Sequence, residues 1–150
     1  MAFRFSMESV LKHRKRQEEV AHRDVLEAQN NLEVCLDAIE KMYAAIDETR
    51  ALISQSERIG DMQWVQTSET FIEAQKIRIH EARMHVRELI RMLEDKQEVL
   101  LDRLHDRKII EKLKERRKQE YVERLARIEQ KELDDLNNSR RRWMVKGSGL

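Results

Sequence analysis

The chain has 150 residues, of which 39% are charged and 5% aromatic, yet its formal net charge is only +1. That composition leaves too little apolar material for a globule enclosing a pocket, and the near-neutral balance argues against a nucleic-acid binder. There is no proline, glycine occurs only three times, and the single cysteine rules out an internal disulfide, which fits a reducing compartment.

The opening stretch, MAFRFSMESVLKHRKRQ, has no long apolar run and turns basic, so it does not read as a secretory signal. No later run is long enough to cross a bilayer, and the expectation is a cytosolic chain without direct membrane insertion. Ser6 is placed to cap a first helix over residues 6–56. Along it Leu11, Ala21, Val25, Ala28, Leu32, Cys35, Ile39, Met42, Ile46, Thr49 and Ile53 recur mainly by threes and fours. Such a stripe faces a partner helix. Cys35 lies in it, so the thiol reads as a small apolar group before a reactive one.

A turn is expected over residues 57–63, with Gly60 as a left-handed stop and Asp61 as the next cap. The second helix is predicted over residues 64–142, followed by a frayed basic tail over 143–150. Its stripe is Ser68, Ile72, Gln75, Ile79, Ala82, Val86, Leu89, Leu93, Lys96, Leu100 and Ile110. The two stripes mirror each other: Leu32 falls opposite Leu89, Cys35 opposite Val86 and Leu11 opposite Ile110, each pair of numbers adding to 121. A shared sum means that the partner helix is the same chain folded back. The predicted fold is therefore all-α, a single domain over residues 1–150 built as an antiparallel two-helix coiled-coil hairpin with a longer, projecting C-terminal helix.

At 1.5 Å per residue the helices would run roughly 75–80 Å and roughly 115–120 Å. Mirror pairing is exhausted near Leu113, so the rest of the second helix should project alone. The stretch from Lys114 to Glu120, KERRKQE, has no apolar residue, whereas Tyr121, Leu125, Ile128 and Leu136 then restore a sparse stripe with nothing to cover it. Either this is a self-supporting charged helix or another protein covers it. Charge is also sorted. Residues 103–118 carry eight bases and three acids, while residues 40–82 carry eight acids and five bases. A basic patch of that kind speeds encounter with acidic surfaces. Near it Glu18 should face Arg103, and Arg14 would face Arg107, a like-charge layer that suggests a shift of coiled-coil phase near Leu104 or else a partner helix docking at the base.

Nothing supports catalysis. His80 and His85 are five apart and so point about 140° from each other, whereas two metal ligands on a helix need spacing by four. No glycine-rich phosphate loop or nucleophile elbow is present. No catalytic residue, metal ligand or cofactor is expected. Off the stripe, Tyr43, Phe71 and Ile77 near the turn, and Trp64 beside it, could be partner anchors or mere seam edges. Arg140, Arg141 and Arg142 before Trp143 read as a basic end without an apolar face for a membrane.

Two stretches resemble one family. FRFSMESVLKHRKRQEEVA, with Phe3, Phe5, Val10, Leu11, Arg14, Glu19 and Ala21, is similar to the opening of the FliJ family. The stretch Ile109 to Leu136, IIEKLKERRKQEYVERLARIEQKELDDL, resembles its C-terminal signature. The resemblance implies a soluble, non-enzymatic part of the flagellar type III export apparatus, on the cytoplasmic side of the membrane at the flagellar base. It implies contact with the FliI export-ATPase hexamer through Leu113, Lys114, Arg116, Arg117, Tyr121, Leu125 and Ile128. Contact with the cytoplasmic domain of the export-gate protein FlhA would use Met42, Tyr43 and Phe71. FliH and the chaperones of late substrates are further implied partners. Thr49, Gln75 and Arg78 depart from the family's usual choices at the gate-facing side. Two other readings stay open: a stalk of an injectisome or another rotary ATPase, and a basic nucleic-acid-binding coiled coil.

Overall fold

A computed structural model describes residues 2–147. It consists of two long helices, α1 (Glu8–Ile59) and the longer α2 (Met62–Gly147), packed as an antiparallel hairpin. Both run further than predicted. α1 starts two residues later, continues three past residue 56, and leaves only Gly60 and Asp61 between the helices. Asn137, Asn138 and Ser139 do not interrupt α2, and neither does the basic stretch to Gly147. Exposed polar residues keep their side chains in water, and no proline or interior glycine forces a break before Gly147. Ser148, Gly149 and Leu150, the end of the expected frayed tail, lie outside the described residues.

The turn is closed from both sides. Gly60 has φ +88°, a left-handed conformation that costs glycine little. Its N–H and that of Asp61 both donate to the Ser56 carbonyl, at 2.9 and 3.3 Å, capturing an otherwise orphaned helix-end acceptor. Asp61 then caps α2, its Oδ1 accepting from the Trp64 N–H at 3.2 Å. The predicted mirror centre and the observed turn coincide.

The chain divides into two compact units, each described by itself: Gln17–Arg103, and the chain up to Arg16 together with the chain from Leu104. In the first, the buried apolar residues are Ala21, Val25, Ala28, Ile39, Ile46 and Ile53 from α1, with Ile72, Ile79 and Leu89 from α2, all on the two stripes, and Val65, which precedes the stripe of α2. Met42, Ala82 and Val86 pack against the cluster of Ile39, Ile46, Ile53, Val65, Ile72 and Ile79. The Cys35 thiol points across the seam at the Ala82 carbonyl, 3.8 Å away. Two polar residues are buried here as well, Ser68 and Gln75, and Gln75 Oε1 has no hydrogen-bond partner. Lys96, on the same stripe, is exposed, its long stem allowing the ammonium to reach water.

In the second unit Leu11, 1% exposed, packs with Phe5 and Ile110, and Phe3, Met7, Val10 and Leu113 surround them. The like-charge layer resolves through carboxylates. Arg14 donates to the Asp106 carbonyl at 3.1 Å and lies 3.6 Å from its Oδ1, while Arg107 meets Glu111 at 2.6 Å. Each guanidinium has its own acceptor, so neither needs to face the other.

Candidate interaction surfaces

All seven residues predicted to meet an ATPase ring fall in the second unit, but they divide into two groups. Leu113, Arg117 and Tyr121 are engaged by the protein's own N-terminal segment, residues 2–7, which is not helical, and Lys114 by Glu8, the first residue of α1. Leu113 packs against the Phe5 cluster. Lys114 Nζ lies 2.8 Å from Glu8 Oε2. Arg117 donates to the Ser6 hydroxyl at 2.9 Å and stands 5.8 Å from the centre of the Phe5 ring, a cation–π arrangement. Tyr121 meets the Phe3 ring at 5.6 Å between centroids, the planes tilted by 45°.

This corrects two expectations. Pairing does not end near Leu113. It extends to Tyr121, because an extended segment reaches further per residue than a helix and carries the aromatics that the KERRKQE stretch lacks. Ser6, one residue ahead of the carbonyl that opens α1, caps nothing in its own helix: the Leu11 N–H bonds to the Met7 carbonyl, and the Ser6 hydroxyl serves Arg117. The Lys114 hydrogen bond also holds the Glu8 carboxyl below its usual range. Partial desolvation opposes this, and the fields of Lys114, Lys12 and Lys15 add to it.

The second group, Arg116, Leu125 and Ile128, is exposed. From Val122 to Gly147 every residue of α2 is exposed. At 100° per residue Val122, Leu125, Ile128, Leu133 and Leu136 project within an arc of roughly 140°. Leu125 is 39% and Leu136 62% exposed, so this apolar stripe meets water along its length. Arg124 and Lys131 lie beyond one edge of it, Arg127 projects from the opposite face, and Glu129 and Glu132 fall within the arc. Val122 and Leu133 lie outside the narrow three-four seam that periodicity marks, whereas an uncovered helix shows its wider apolar arc.

The three residues predicted to meet the export gate lie in the other unit and do not form one patch. Met42 packs into the seam cluster. Tyr43 is exposed beside α2, its hydroxyl accepting from Arg83, whose guanidinium carbon stands 5.5 Å from the ring centre. Phe71 is 43% exposed and lies twelve residues before Arg83 on α2, hence about 18 Å away along the axis and about 120° around it. Ile77 is exposed as well. Arg83, which holds the Tyr43 ring, has no signal in the sequence apart from its place on the seam edge.

Among the described residues no helix is long and apolar enough to cross a membrane, and no cluster of His, Cys, Asp and Glu could hold a metal ion. His80 and His85 are both exposed, and His85 lies 3.8 Å from Glu88.

A helical hairpin whose distinctive features are exposed stripes and edges is a coiled-coil protein that acts through its surface. The chain belongs to the FliJ family: residues 3–148 match the family described as flagellar FliJ protein. That family is a non-catalytic component of the flagellar export apparatus. No curated protein and no solved structure matches the chain.

Proposed function

We propose that this protein couples the FliI export-ATPase hexamer to the cytoplasmic domain of the export-gate protein FlhA, working on the cytoplasmic face of the membrane at the flagellar base. FliH and the chaperones of late substrates are further partners in this reading. The observation that carries it is the uncovered arc of Val122, Leu125, Ile128, Leu133 and Leu136 in a member of the FliJ family. An apolar stripe of that extent, interrupted by Glu129 and Glu132 and with Arg124 and Lys131 beyond one edge, suits an apolar groove with an acidic rim on that side.

On the gate side, Phe71 is the free anchor. Tyr43 is already held by Arg83, and Met42 contributes by shaping the seam beneath. The test is binding to purified FliI hexamer by interferometry at two ionic strengths. Leu125→Ala with Ile128→Ala should chiefly speed dissociation, since buried anchors resist release. Arg116→Glu should slow association and make it less favoured at low salt, since the long-range attraction is reduced. Binding unchanged by all three substitutions would overturn the reading.

A further inference from the structure

The N-terminal segment and the uncovered stripe meet at one side chain. Tyr121 follows the seam face of α2 and is succeeded on that face by Leu125 and Ile128, both exposed. Its own ring is half-buried, and its cover is Phe3. A partner that seats on Leu125 and Ile128 and continues along the same face therefore collides with Phe3 one helical turn later.

The segment is not held uniformly. Phe5, 8% exposed, is built into the cluster with Leu11 and Ile110, and Arg117 lies over its ring. Phe3 packs only at the margin of that cluster and is half-buried, and Ala2 and Arg4 on either side of it are exposed. Nothing in this outer part is helical, so it can peel away without unwinding α1, which begins at Glu8. The inner residues Phe5 and Ser6 stay fastened to Arg117 while it does so.

We infer that Ala2–Arg4 is a displaceable strap: Phe3 covers Tyr121 in the free protein and is pushed off when the partner of the Leu125–Ile128 stripe docks. The consequence is autoinhibition of modest size, because part of the partner's binding energy is spent in replacing the contacts of Phe3 with Tyr121 and with the margin of the Phe5 cluster. This rests on the proposed ring contact, and the test separates the two ideas.

FliI-hexamer affinity is measured for the wild type, Phe3→Ala and Leu125→Ala. A tilted aromatic pair corresponds to a factor of roughly two to ten in an equilibrium constant. Phe3→Ala should therefore bind about two- to tenfold more tightly, and Leu125→Ala more weakly. If Leu125→Ala binds as the wild type does, the ring contact itself fails and the strap's proposed trigger fails with it. If Leu125→Ala weakens binding while Phe3→Ala weakens it or leaves it unchanged, the strap alone is overturned and Phe3 belongs to the structural base.

A second readout does not depend on affinity. The chain has three phenylalanines, Phe3, Phe5 and Phe71, so 4-fluorophenylalanine labelling gives three fluorine resonances, assigned by single replacement with leucine. Saturating FliI should move the Phe3 resonance to the position of a solvated ring and leave that of Phe5 in place. A Phe3 signal that stays put, or that shifts as a buried ring would, contradicts displacement.

Discussion

Leu11 offers the sharpest test of the packing beneath the N-terminal segment. It is 1% exposed, the most buried large side chain described, and it is enclosed by Phe5 and Ile110 with Val10 and Leu113 around them. Leu→Ala in a core costs about 2–5 kcal/mol, from lost transfer energy plus the cavity left behind. A two-helix seam is narrow, so neighbours and water can close on the gap, which places the expected loss at the lower end, about 2–3 kcal/mol. Val20, 53% exposed on the same helix, supplies the control, and its replacement by alanine should cost less than about 0.5 kcal/mol.

The assay is urea unfolding followed by circular dichroism at 222 nm, with fluorescence of Trp64 and Trp143 as a second probe to detect stepwise melting. Ile110→Ala and the double variant complete a cycle. Side chains in contact share the cavity, so the double variant should fall short of additivity by about 0.5 kcal/mol or more. The packing argument is refuted if Leu11→Ala behaves like Val20→Ala, or if the two losses simply add. Either result would mean that Leu11 and Ile110 do not pack together in solution.

Gln75→Leu should stabilise the hairpin by about 1 kcal/mol, because the buried Oε1 lacks a partner and an apolar side chain removes that desolvation cost; a loss of similar size in urea unfolding would show that the amide is satisfied. Cys35 should form a disulfide with a cysteine placed at Val86 under mild oxidation and not with one at Arg87, since only the former shares its layer; equal yields by non-reducing electrophoresis would contradict the register. Glu8 should titrate below an ordinary glutamate because Lys114 hydrogen-bonds its carboxylate, with Lys12 and Lys15 nearby. Its link to Lys114 then contributes at pH above the unfolded glutamate range and is lost as pH falls through the depressed folded value. Lys114→Gln should raise the Glu8 pKa in a carbon-detected NMR titration, and no movement would show that the ammonium is not the cause.

The hairpin was legible because its information is periodic. Each stripe residue repeats the same statement about which face is covered, and the mirror sum fixes the turn between Gly60 and Asp61 from dozens of residues away. Glycine at φ +88° and a capping aspartate then confirm locally what the periodicity demands globally. The N-terminal segment was not legible, since it has no period. Phe3 and Phe5 alternate like a strand but pair with no sheet, and KERRKQE looks solvated because its partners are a ring, a hydroxyl and a carboxylate rather than an apolar stripe. Chain ends of helices were missed for a similar reason. Nothing stops α1 at residue 56 or α2 at residue 142, and a helix without a breaker continues while each added residue gains a hydrogen bond.

The same geometry decides which substitutions can report on a partner at all. Lys114 and Arg117 are basic residues on the face expected to meet an acidic rim, so reversing their charge looks like the direct experiment. Yet Lys114 holds Glu8, and Arg117 holds Ser6 and lies over Phe5. A glutamate at 114 would sit against the Glu8 carboxylate, and one at 117 would release the aromatic below it, so weakened binding would follow even if no partner touched either residue. Arg116 is exposed and adjacent in sequence, carries the same charge, and projects about 100° away around the helix. Its reversal changes the field felt by an approaching protein while leaving the N-terminal segment fastened. If Arg116→Glu slows association as much as Arg117→Glu does, the effect is long-range attraction. If only Arg117→Glu weakens binding, and its circular dichroism melt shifts in parallel, the loss belongs to the hairpin base rather than to the encounter.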